Sequence, residues 1–443
     1  MDQLIQQSQE KKNLNNEKVR ILFLAYTEHG SLAEFVNNSQ KRLSWIDALL
    51  EELKNYQNIS LGIVLPIDSK HFQRDQKDNI KLYGLPNPKE RNIFRKAYNK
   101  MIYATESSKI NSHIKTVVDD FNPDIIQIFG TENPFGLIIP QLNKPVIMHI
   151  QGFLLVGERK YFTGLSRCEQ FRYTSWKDLL FLRGNYNGFF TFRKRAKVEE
   201  KVIKSCHYFM GRTDFDRRII ALLSPKSTYF HCEEFIRKEF FDKCWNFPLG
   251  DEIVGISILK GTTSKGIDLL VESSMVLQKH IPFTIKFKIC GVSSNEEIVK
   301  ILKKKYNKDK CFENIEFLGK LTASELVTQL SNANFYVHPS YIENSPNSVC
   351  EAMALGMPIV ATKVGGVSSI IQDKVEGLLV QEGDPYSLAG AIVELISNYE
   401  YAVSLGKNAR ARAISRHNPL QLKNSILKIY EKLIFENGRK DLS

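Results

Sequence analysis

The chain has 443 residues, 43% of them hydrophobic and 25% charged, which is typical of a globular protein with two or three domains. No apolar stretch approaches the roughly 18 residues of a membrane-spanning helix, and the polar N-terminus lacks the apolar core of a signal peptide. The seven cysteines form no CxxC pair, so neither a zinc site nor a disulfide framework is indicated, and a reduced, cytoplasmic setting is expected.

The net charge of +12 is concentrated in one part of the chain. Residues 158–218 carry fifteen Lys and Arg against seven Asp and Glu. Two interpretations stay open for the basic helix predicted at 192–206. It is a solvated face, or it contacts an anionic membrane at the inner face of the cell envelope. No nucleic-acid-binding signature stands out, so nucleic acid is not an expected partner.

The first half of the chain alternates apolar runs with segments of helical periodicity. Continuous apolar runs are typical of strands buried on both faces of a parallel sheet, and their alternation with helices predicts a doubly wound α/β domain. The expected strands are 19–26, 59–67, 124–130 and 145–152, and the expected helices include 44–56, 114–121 and 134–142.

The same pattern restarts after residue 250 and predicts a second doubly wound domain. We place the first domain at 18–240 and the second at 241–415. A helical pattern follows at 416–440, and whether that helix crosses back to the first domain stays open. Ligands of such sheets bind at the carboxyl ends of the strands, so two facing sheets predict a site in the cleft between the domains.

The stretch "ENSPNSVCE" places Glu343 and Glu351 around a predicted helix start, with seven residues between them. Ser345 is expected to cap the helix. The backbone amides of Asn347 and Ser348 are then expected to form an anion site, for which phosphate is the usual ligand. Two carboxylates beside a phosphate site can accept hydrogen bonds from sugar hydroxyls. The pattern therefore indicates a ligand with phosphate and sugar parts. The alternative is a capped helix with two solvated acids.

A second group lies in the loop "LKGTTSKGIDLL" after the first strand of the second domain. Lys260 and Lys265 flank small residues that end at Gly266, and a helix follows. Two ammonium groups beside a helix start favour a diphosphate site, although lysine and glycine are also common in ordinary loops of this kind. Neither domain carries GxGxxG after its first strand, which counts against a nicotinamide dinucleotide enzyme.

Residues 340–380, "SYIENSPNSVCEAMALGMPIVATKVGGVSSIIQDKVEGLLV", closely resemble the signature of retaining GT-B glycosyltransferases of family 4. The likeness spans most of 250–400 and is weaker over 19–238. The matching positions are Glu343, Glu351, Ala352, Gly356, Pro358, Gly365 and Gly366, together with the Lys-Gly step at 265 and 266. The resemblance implies a GT-B fold, in which two Rossmann-like domains face each other across a cleft.

The resemblance also implies roles for the candidate residues. Lys260 and Lys265 would neutralise the donor diphosphate, with help from the amides of the following helix start. Glu351 would accept the ribose hydroxyls of the nucleotide, and Glu343 would hold the transferred sugar. Lys260 stands where relatives usually carry arginine.

Two further pairs are assigned by the same likeness. Gly319 and Lys320 fall where the family binds the nucleotide base. Asn344 and Ser345 stand where many relatives have Gly-Phe, a departure that is expected to reshape the sugar pocket.

In the first domain the family usually ends a strand in His-Gly near the sugar. Here the corresponding position is Gln151, with His149 two residues earlier, so both are candidates. A Leu-Ser pair (43–44) replaces two glycines of relatives, and the Gly-Ser pair (30–31) is an alternative contact for the diphosphate. The candidate catalytic residues are Glu343, Lys265, Lys260, Gln151 and His149.

The function implied is transfer of a sugar, with retention of configuration, from a nucleoside-diphosphate sugar to a glycan or lipid-linked acceptor in cell-surface polysaccharide biosynthesis. The alternatives are a sugar-nucleotide epimerase or hydrolase of the same fold, and a catalytically silent binding protein. No cofactor and no metal are expected.

Overall fold

Two sheets dominated by parallel pairs organise the residues that the computed structural model describes, which are 18–26, 45–54, 56–87, 106–176, 180, 184–246, 248, 252–306 and 309–438. The strands of the first sheet are β1 (Val19–Ala25), β2 (Ile59–Ile67), β3 (Gln73–Lys77), β4 (Ile80–Pro86), β5 (Ile125–Phe129), β6 (Val146–His149), β7 (Tyr208–Gly211) and β8 (Thr228–His231). Their order is β3-β4-β2-β1-β5-β6-β7-β8, with only β3 antiparallel to its neighbour.

The second sheet is wholly parallel. Its strands are β9 (Ile253–Ile258), β10 (Ile285–Cys290), β11 (Ile315–Gly319), β12 (Phe335–His338), β13 (Ile359–Thr362) and β14 (Leu378–Val380), in the order β11-β10-β9-β12-β13-β14. All carboxyl ends of a parallel sheet meet at one edge, so the loops after β9 and β12, which are hydrogen-bonded neighbours, lie side by side.

Helices cover both sheets. Those of the first part of the chain are α1 (Trp45–Lys54), α2 (Glu106–Phe121), α3 (Leu154–Arg159), α4 (Arg167–Tyr173), α5 (Gly184–Ser205) and α6 (Asp214–Leu223). Those of the second part are α7 (Ile267–His280), α8 (Glu297–Tyr306), α9 (Ala323–Ser331), α10 (Asn347–Leu355), α11 (Val367–Ile370), α12 (Pro385–Ser397), α13 (Tyr399–Arg416) and α14 (Pro419–Gly438).

Each face of the first sheet has its own apolar core. Alternate residues of β1 point to opposite faces, as the period of a strand requires. Ile21 and Phe23 belong to one core, which also contains residues of α1 and α14. Leu22 and Leu24 belong to the other, which contains residues of α2, α5 and α6. Helices α5 and α14 therefore cover opposite faces of this sheet.

The predicted fold class is confirmed, and two local expectations need correction. The segment expected as a helix at 134–142 is a 3-10 helix, Pro134–Gln141, because Pro140 inside it cannot donate to an α-helical ladder. The pair of strands β3 and β4 was not predicted. It forms the antiparallel edge of the first sheet, around a turn in which Asp78 has a φ of 54°.

The last helix, α14, packs on the first sheet rather than the second. Leu422, Ile426 and Leu433 are buried in the core of β1, β2 and β5. The hydroxyl of Tyr430 donates a hydrogen bond of 2.5 Å to Oε1 of Gln127 on β5. None of the described helices is long and apolar enough to cross a membrane.

Truncation of Leu433 tests this packing. Leu433 is fully buried, whereas Leu420 in the same helix is 61% exposed. We expect Leu433→Ala to lower the free energy of unfolding by about 2–5 kcal/mol, and Leu420→Ala to change it by less than about 0.5 kcal/mol. Chemical denaturation measures both, and equal effects of the two substitutions would contradict the docking of α14.

Candidate functional site

The loop after β9 is held against the loop after β12 by backbone contacts. It forms a 3-10 turn, Thr263–Lys265, and reaches Gly266, which has a φ of 71°. A Cβ at Gly266 would lie 1.9 Å from the carbonyl oxygen of Pro339, so only glycine fits this close approach. The amide of Tyr341 donates to the carbonyl of Ser264 at 2.9 Å. These contacts bring Lys265 to the loop that carries Glu343.

Lys265 and Glu343 form an ion pair, Nζ to Oε1. The same carboxylate oxygen accepts a hydrogen bond of 2.9 Å from the hydroxyl of Ser340, and Nε2 of His338 lies 3.3 Å from it. Burial opposes ionisation of Glu343, but the charge of Lys265 and the contact with His338 hold the pKa of Glu343 far below its usual range. The two strongest candidates from the sequence are therefore in direct contact.

Glu351 lies in the second turn of α10, as predicted, but its carboxylate already has a partner. Oε1 lies 2.7–2.8 Å from the guanidinium nitrogens of Arg237. Burial raises the pKa of Glu351 to about 7, although Arg237 opposes the rise. Hydrogen bonds from a ribose would have to share this carboxylate with Arg237.

The predicted helix cap is wrong. Helix α10 begins at Asn347, and Pro346 occupies the cap position without a side-chain hydrogen bond. The hydroxyl of Ser345 instead donates a hydrogen bond of 2.5 Å to Oε1 of Glu234, on the segment that follows β8. Ser348 and Asn347 are partly accessible at the start of the helix.

Lys260 follows β9 at the same sheet edge, and its side chain is exposed. Its charge acts on Glu132, which follows β5 in the first domain. Burial raises the pKa of the Glu132 carboxyl, and the charges of Arg195, Arg212 and Lys260 oppose that rise. The charge of Lys260 thus acts on a residue at the carboxyl edge of the first sheet, an effect that the sequence did not indicate.

Asn344 ties the Glu343 loop to the first domain. Its Oδ1 accepts a hydrogen bond of 2.8 Å from the hydroxyl of Thr213, and its Nδ2 lies 3.5 Å from the backbone oxygen of Gln151. On its other side the amide of Gly366 donates to the carbonyl of Glu343 at 3.1 Å. Gln151 is therefore in contact with the loop that carries Glu343.

His149 lies in the interior of the first sheet. It is 1% exposed, and its Nδ1 lies 3.2 Å from Nε2 of Gln127. Burial, with the nearby charge of Arg212, holds the pKa of His149 well below its usual value, so the imidazole is neutral at pH 7. Of the two candidates in the first domain, Gln151 is the one that reaches the second domain.

The remaining predicted positions lie farther along the same edge. Gly319 ends β11 with a φ of 67°, and its carbonyl accepts a hydrogen bond of 2.6 Å from the amide of Gly291 at the end of β10. Lys320 follows it and is exposed. The pairs at 30–31 and 43–44 lie outside the described residues.

A buried ion pair behind the site was missed. Arg212 follows β7, and its Nη1 lies 3.7 Å from Oε2 of Glu234; the two side chains are 2% and 0% exposed. The pKa of Glu234 is about 2, since Arg212 and His417 outweigh burial. The sequence pattern around Glu234 matches no motif, and the pairing depends on the fold.

Within the part of the chain that the structure describes, one group of side chains has the composition of a metal site. Glu234, Cys350 and His417 are buried, with potential ligand atoms within 4.8 Å of one another. The charge of Arg212 beside Glu234 repels a cation, and burial raises the pKa of the Cys350 thiol well above its usual value. These residues therefore fit a metal poorly.

A cavity of about 390 Å³ opens beside the site, between α6 and the loop after β13. Its lining includes Phe215, Leu222, Gly365 and Ser369. Lys265 and Glu343 are not among its lining residues.

Comparison with known proteins gives one family match. Residues 239–412 match the family model described as glycosyl transferases group 1. Relatives include an uncharacterised glycosyltransferase of Methanocaldococcus jannaschii, MJ1178 (27% identical over 53% of this chain and 60% of that protein). Another is the amylovoran biosynthesis glycosyltransferase AmsK of Erwinia amylovora (24%, 49% and 54%).

A third relative is the N,N'-diacetylbacillosaminyl-diphospho-undecaprenol alpha-1,3-N-acetylgalactosaminyltransferase of Campylobacter jejuni, 26% identical over 45% of this chain and 49% of that protein. The chain thus matches about half the length of these relatives, between 49% and 60%.

Solved structures share the fold over nearly the whole chain. Sucrose-phosphate synthase from Thermosynechococcus elongatus has a TM-score of 0.65 at 15% identity, covering 95% of this chain and 100% of its own. Anabaena Alr3699/HepE in complex with UDP and glucose has a TM-score of 0.62 at 15% identity, covering 93% and 99%. The neighbours are GT-B glycosyltransferases, which confirms the expected GT-B fold.

Substitution of Gly266 tests the close approach of the two loops. We expect Gly266→Ala to lower the free energy of unfolding by about 1–3 kcal/mol, because alanine is strained at positive φ and its Cβ would meet the Pro339 carbonyl. The control is Gly390→Ala inside α12, where a Cβ would meet nothing within 4 Å. That variant is expected to be stabilised by roughly 0.5–1 kcal/mol. If Gly266→Ala leaves the free energy of unfolding unchanged in the same denaturation series, the assigned contact between the two loops is wrong.

The buried carboxyl of Glu351 makes stability depend on pH. Its pKa rises from 4.5 to about 7 on folding, so the folded protein binds more protons in this range, and the free energy of unfolding falls as pH rises from about 4.5 to 7. We expect Glu351→Gln to remove up to about 3 kcal/mol of this fall. Denaturation at pH 5 and pH 8 measures the difference, with the exposed Glu394→Gln as control. If the free energy of unfolding of Glu351→Gln depends on pH as that of the wild type does, the raised pKa assigned to Glu351 is wrong.

Proposed function

We propose that this protein is a retaining glycosyltransferase, because residues 239–412 match the glycosyl transferases group 1 family model and the chain has the GT-B fold. Its donor is a nucleoside-diphosphate sugar, and its acceptor is a glycan or a lipid-linked glycan. The observation that carries the proposal is the contact between Lys265 and Glu343 at the carboxyl edge of the second sheet.

The ion pair supplies both chemical functions that the donor requires. A donor diphosphate would take the place of Glu343 as the partner of Lys265. The Glu343 carboxylate, released from the lysine but still beside Ser340 and His338, would then accept hydroxyls of the transferred sugar. Hydrogen bonds to a charged group contribute roughly 1.5–3 kcal/mol each, so Lys265 and Glu343 each keep a strong interaction after the exchange of partners.

The reaction that we propose takes place on one face of the sugar. The acceptor hydroxyl oxygen forms a bond to the anomeric carbon while the bond from that carbon to the diphosphate oxygen breaks, and the acceptor proton passes to the leaving phosphate. Lys265, with the exposed Lys260 as a second cation, stabilises the charge that develops on the leaving diphosphate. Fixed charges of this kind are usually the largest contribution to catalysis.

The other positions on the sheet edge complete the proposed donor site. Glu351, held by Arg237, is proposed to bind the ribose. Gly319 and Lys320 are proposed to contact the base, and the amides of Asn347 and Ser348 to contact phosphate at the start of α10.

The acceptor side is formed by the first domain. Gln151 and Glu132 belong to loops at the carboxyl edge of the first sheet, and the charge of Lys260 acts on Glu132 across the cleft. We propose that the acceptor hydroxyl enters between these loops. His149, buried in the sheet, is proposed to support this wall rather than to contact the sugar.

The names of relatives support a place in polysaccharide biosynthesis. One relative is described as acting in amylovoran biosynthesis and another on a diphospho-undecaprenol-linked sugar, while a structural neighbour was solved with UDP and glucose. We propose that the protein acts in the cytoplasm, at the inner face of the membrane. Each of its seven cysteines carries a free thiol, as is usual in a reducing compartment.

A screen of nucleoside diphosphates and nucleotide sugars by thermal shift, with UDP and UDP-glucose first, tests the proposal. A ligand at a hundredfold excess over Kd stabilises the fold by roughly 2.7 kcal/mol. Release of nucleotide from the bound donor is then compared with and without glycan acceptors, and the anomeric configuration of the product is read by NMR.

The outcomes of this assay separate the candidate functions. Acceptor-dependent release with an unchanged anomer supports the retaining transferase. Acceptor-independent turnover would instead indicate a hydrolase or epimerase. A protein that binds none of the nucleotides would be the catalytically silent alternative.

Replacement of Lys265 tests the proposed diphosphate contact. We expect Lys265→Ala to lower kcat by about 10²–10³ while the circular dichroism spectrum is unchanged, because the variant loses a charge aimed at the leaving group. Lys279→Ala removes the same charge from the exposed end of α7 and is expected to change kcat less than about twofold. Near-wild-type turnover by a folded Lys265→Ala variant would refute the role of this lysine.

A further inference from the structure

Helix α5 carries an exposed stripe of aromatic and basic residues. Phe190, Lys194, Lys197, Lys201 and Lys204 are exposed and separated by alternating steps of four and three residues, so they lie on one face of the helix. The opposite face, including Ala196, Val202 and Ile203, is buried against the first sheet. We call the exposed face, from Phe190 to Lys204, the α5 stripe.

The stripe continues into a patch of exposed apolar side chains at its N-terminal end. The ring of Tyr186 lies 6.0 Å from that of Phe190 and 5.5 Å from that of Phe171 on α4, measured between centroids. Phe171 and Phe190, which Tyr186 joins, are 55% and 52% exposed, and Trp176 and Leu180, which lie between α4 and α5 in the chain, are 69% and 66% exposed. Exposed aromatic side chains in mutual contact indicate an interaction surface.

Basic residues outnumber acidic residues in this region of the sequence. Arg193 pairs with Glu158 at 3.2 Å, and Lys204 pairs with Glu200 at 2.6 Å. The whole segment 158–218 nevertheless has fifteen basic against seven acidic residues. The surface thus combines aromatic side chains with an excess of positive charge.

We infer that the α5 stripe and the adjoining aromatic patch dock this protein on an anionic lipid bilayer. A helix that lies in the membrane interface inserts aromatic and aliphatic residues among the lipids while its lysines contact anionic headgroups, and each lysine near such a surface contributes a factor of about five in affinity. A soluble polyanion would use the lysines but would leave the exposed aromatic side chains without a role.

The position of this surface bears on the acceptor. The ring of Phe189, on the buried side of the same helix turn, lies 5.4 Å from that of Tyr161. The backbone oxygen of Tyr161 accepts a hydrogen bond of 2.7 Å from Thr263, two residues before Lys265. The surface is thus connected directly to the rim of the proposed donor site. On the premise of the proposed transferase function, the acceptor belongs to the class of membrane-embedded, lipid-linked glycans.

Sedimentation with vesicles tests the inference without any knowledge of the substrates. The intact chain is mixed with vesicles of phosphatidylcholine alone, or with about one third phosphatidylglycerol. We expect cosedimentation with the anionic vesicles only, a blue shift of tryptophan fluorescence from exposed Trp176, and release at about 1 M NaCl, where the Debye length is roughly 3 Å.

Substitutions locate the contact. Lys194→Gln, Lys197→Gln and Lys201→Gln combined are expected to weaken vesicle binding by about a hundredfold, and Phe190→Ser by at least about tenfold. The charge control combines Lys374→Gln, Lys407→Gln and Lys428→Gln, which are exposed after α11, on α13 and on α14. The aromatic control is Phe435→Ser, 49% exposed on α14, which covers the opposite face of the first sheet. Both controls are expected to bind vesicles as the wild type does.

Three results would overturn the inference. The first is failure of the wild type to bind anionic vesicles, and the second is an equal loss of vesicle binding in the control variants. The third is unchanged vesicle binding by Phe190→Ser, which would indicate a polyanion site without insertion of the ring. Nucleotide binding is measured on the same variants and is expected to be unchanged. If the wild type binds nucleotide but not vesicles, only the assignment of the membrane-binding surface is wrong. If the wild type binds neither, the proposed function itself is wrong.

Discussion

The ion pair between Lys265 and Glu343 is the interaction on which the site depends. It exists because Gly266, at positive φ, lets the loop after β9 approach the carbonyl of Pro339, on the segment that leads from β12 to Glu343. Each partner offsets the cost of burying the other's charge, which would otherwise be several kcal/mol. A ligand that separates the two side chains has to give each of them a new partner. A diphosphate can pair with Lys265 and sugar hydroxyls can donate to Glu343, so a nucleoside-diphosphate sugar fits the proposed donor site.

The same sheet edge is joined to the rest of the molecule by polar contacts. Asn344 links Glu343 to Thr213 of the first domain, and Ser345 donates to Glu234, which pairs with Arg212. Helix α14 returns to the first sheet. The proposed exchange of partners at Lys265 does not require any of these contacts to break.

The sequence predicted which loops meet, but not how their side chains pair. The doubly wound pattern, and the positions of Lys265 and Glu343 at the carboxyl ends of strands, follow from hydrophobic periodicity and the rule for carboxyl ends. Three interactions join residues that are distant in the chain: the contact of Glu351 with Arg237, the hydrogen bond from Ser345 to Glu234, and the effect of the Lys260 charge on Glu132. Local propensity carries no information on such pairs, which is why the predicted Ser345 cap failed. The α5 stripe was visible as a basic helix, yet its face was defined only by packing.

Calorimetric titration of the Glu343→Gln variant with a nucleoside diphosphate, UDP first, tests the central claim most directly. The variant keeps the shape of the side chain and removes the charge that holds Lys265. If the diphosphate replaces Glu343 as the partner of that lysine, the variant binds the sugar-free nucleotide more tightly than the wild type, by about fivefold for an interaction of roughly 1 kcal/mol. Weaker or unchanged affinity would contradict the exchange of partners at Lys265.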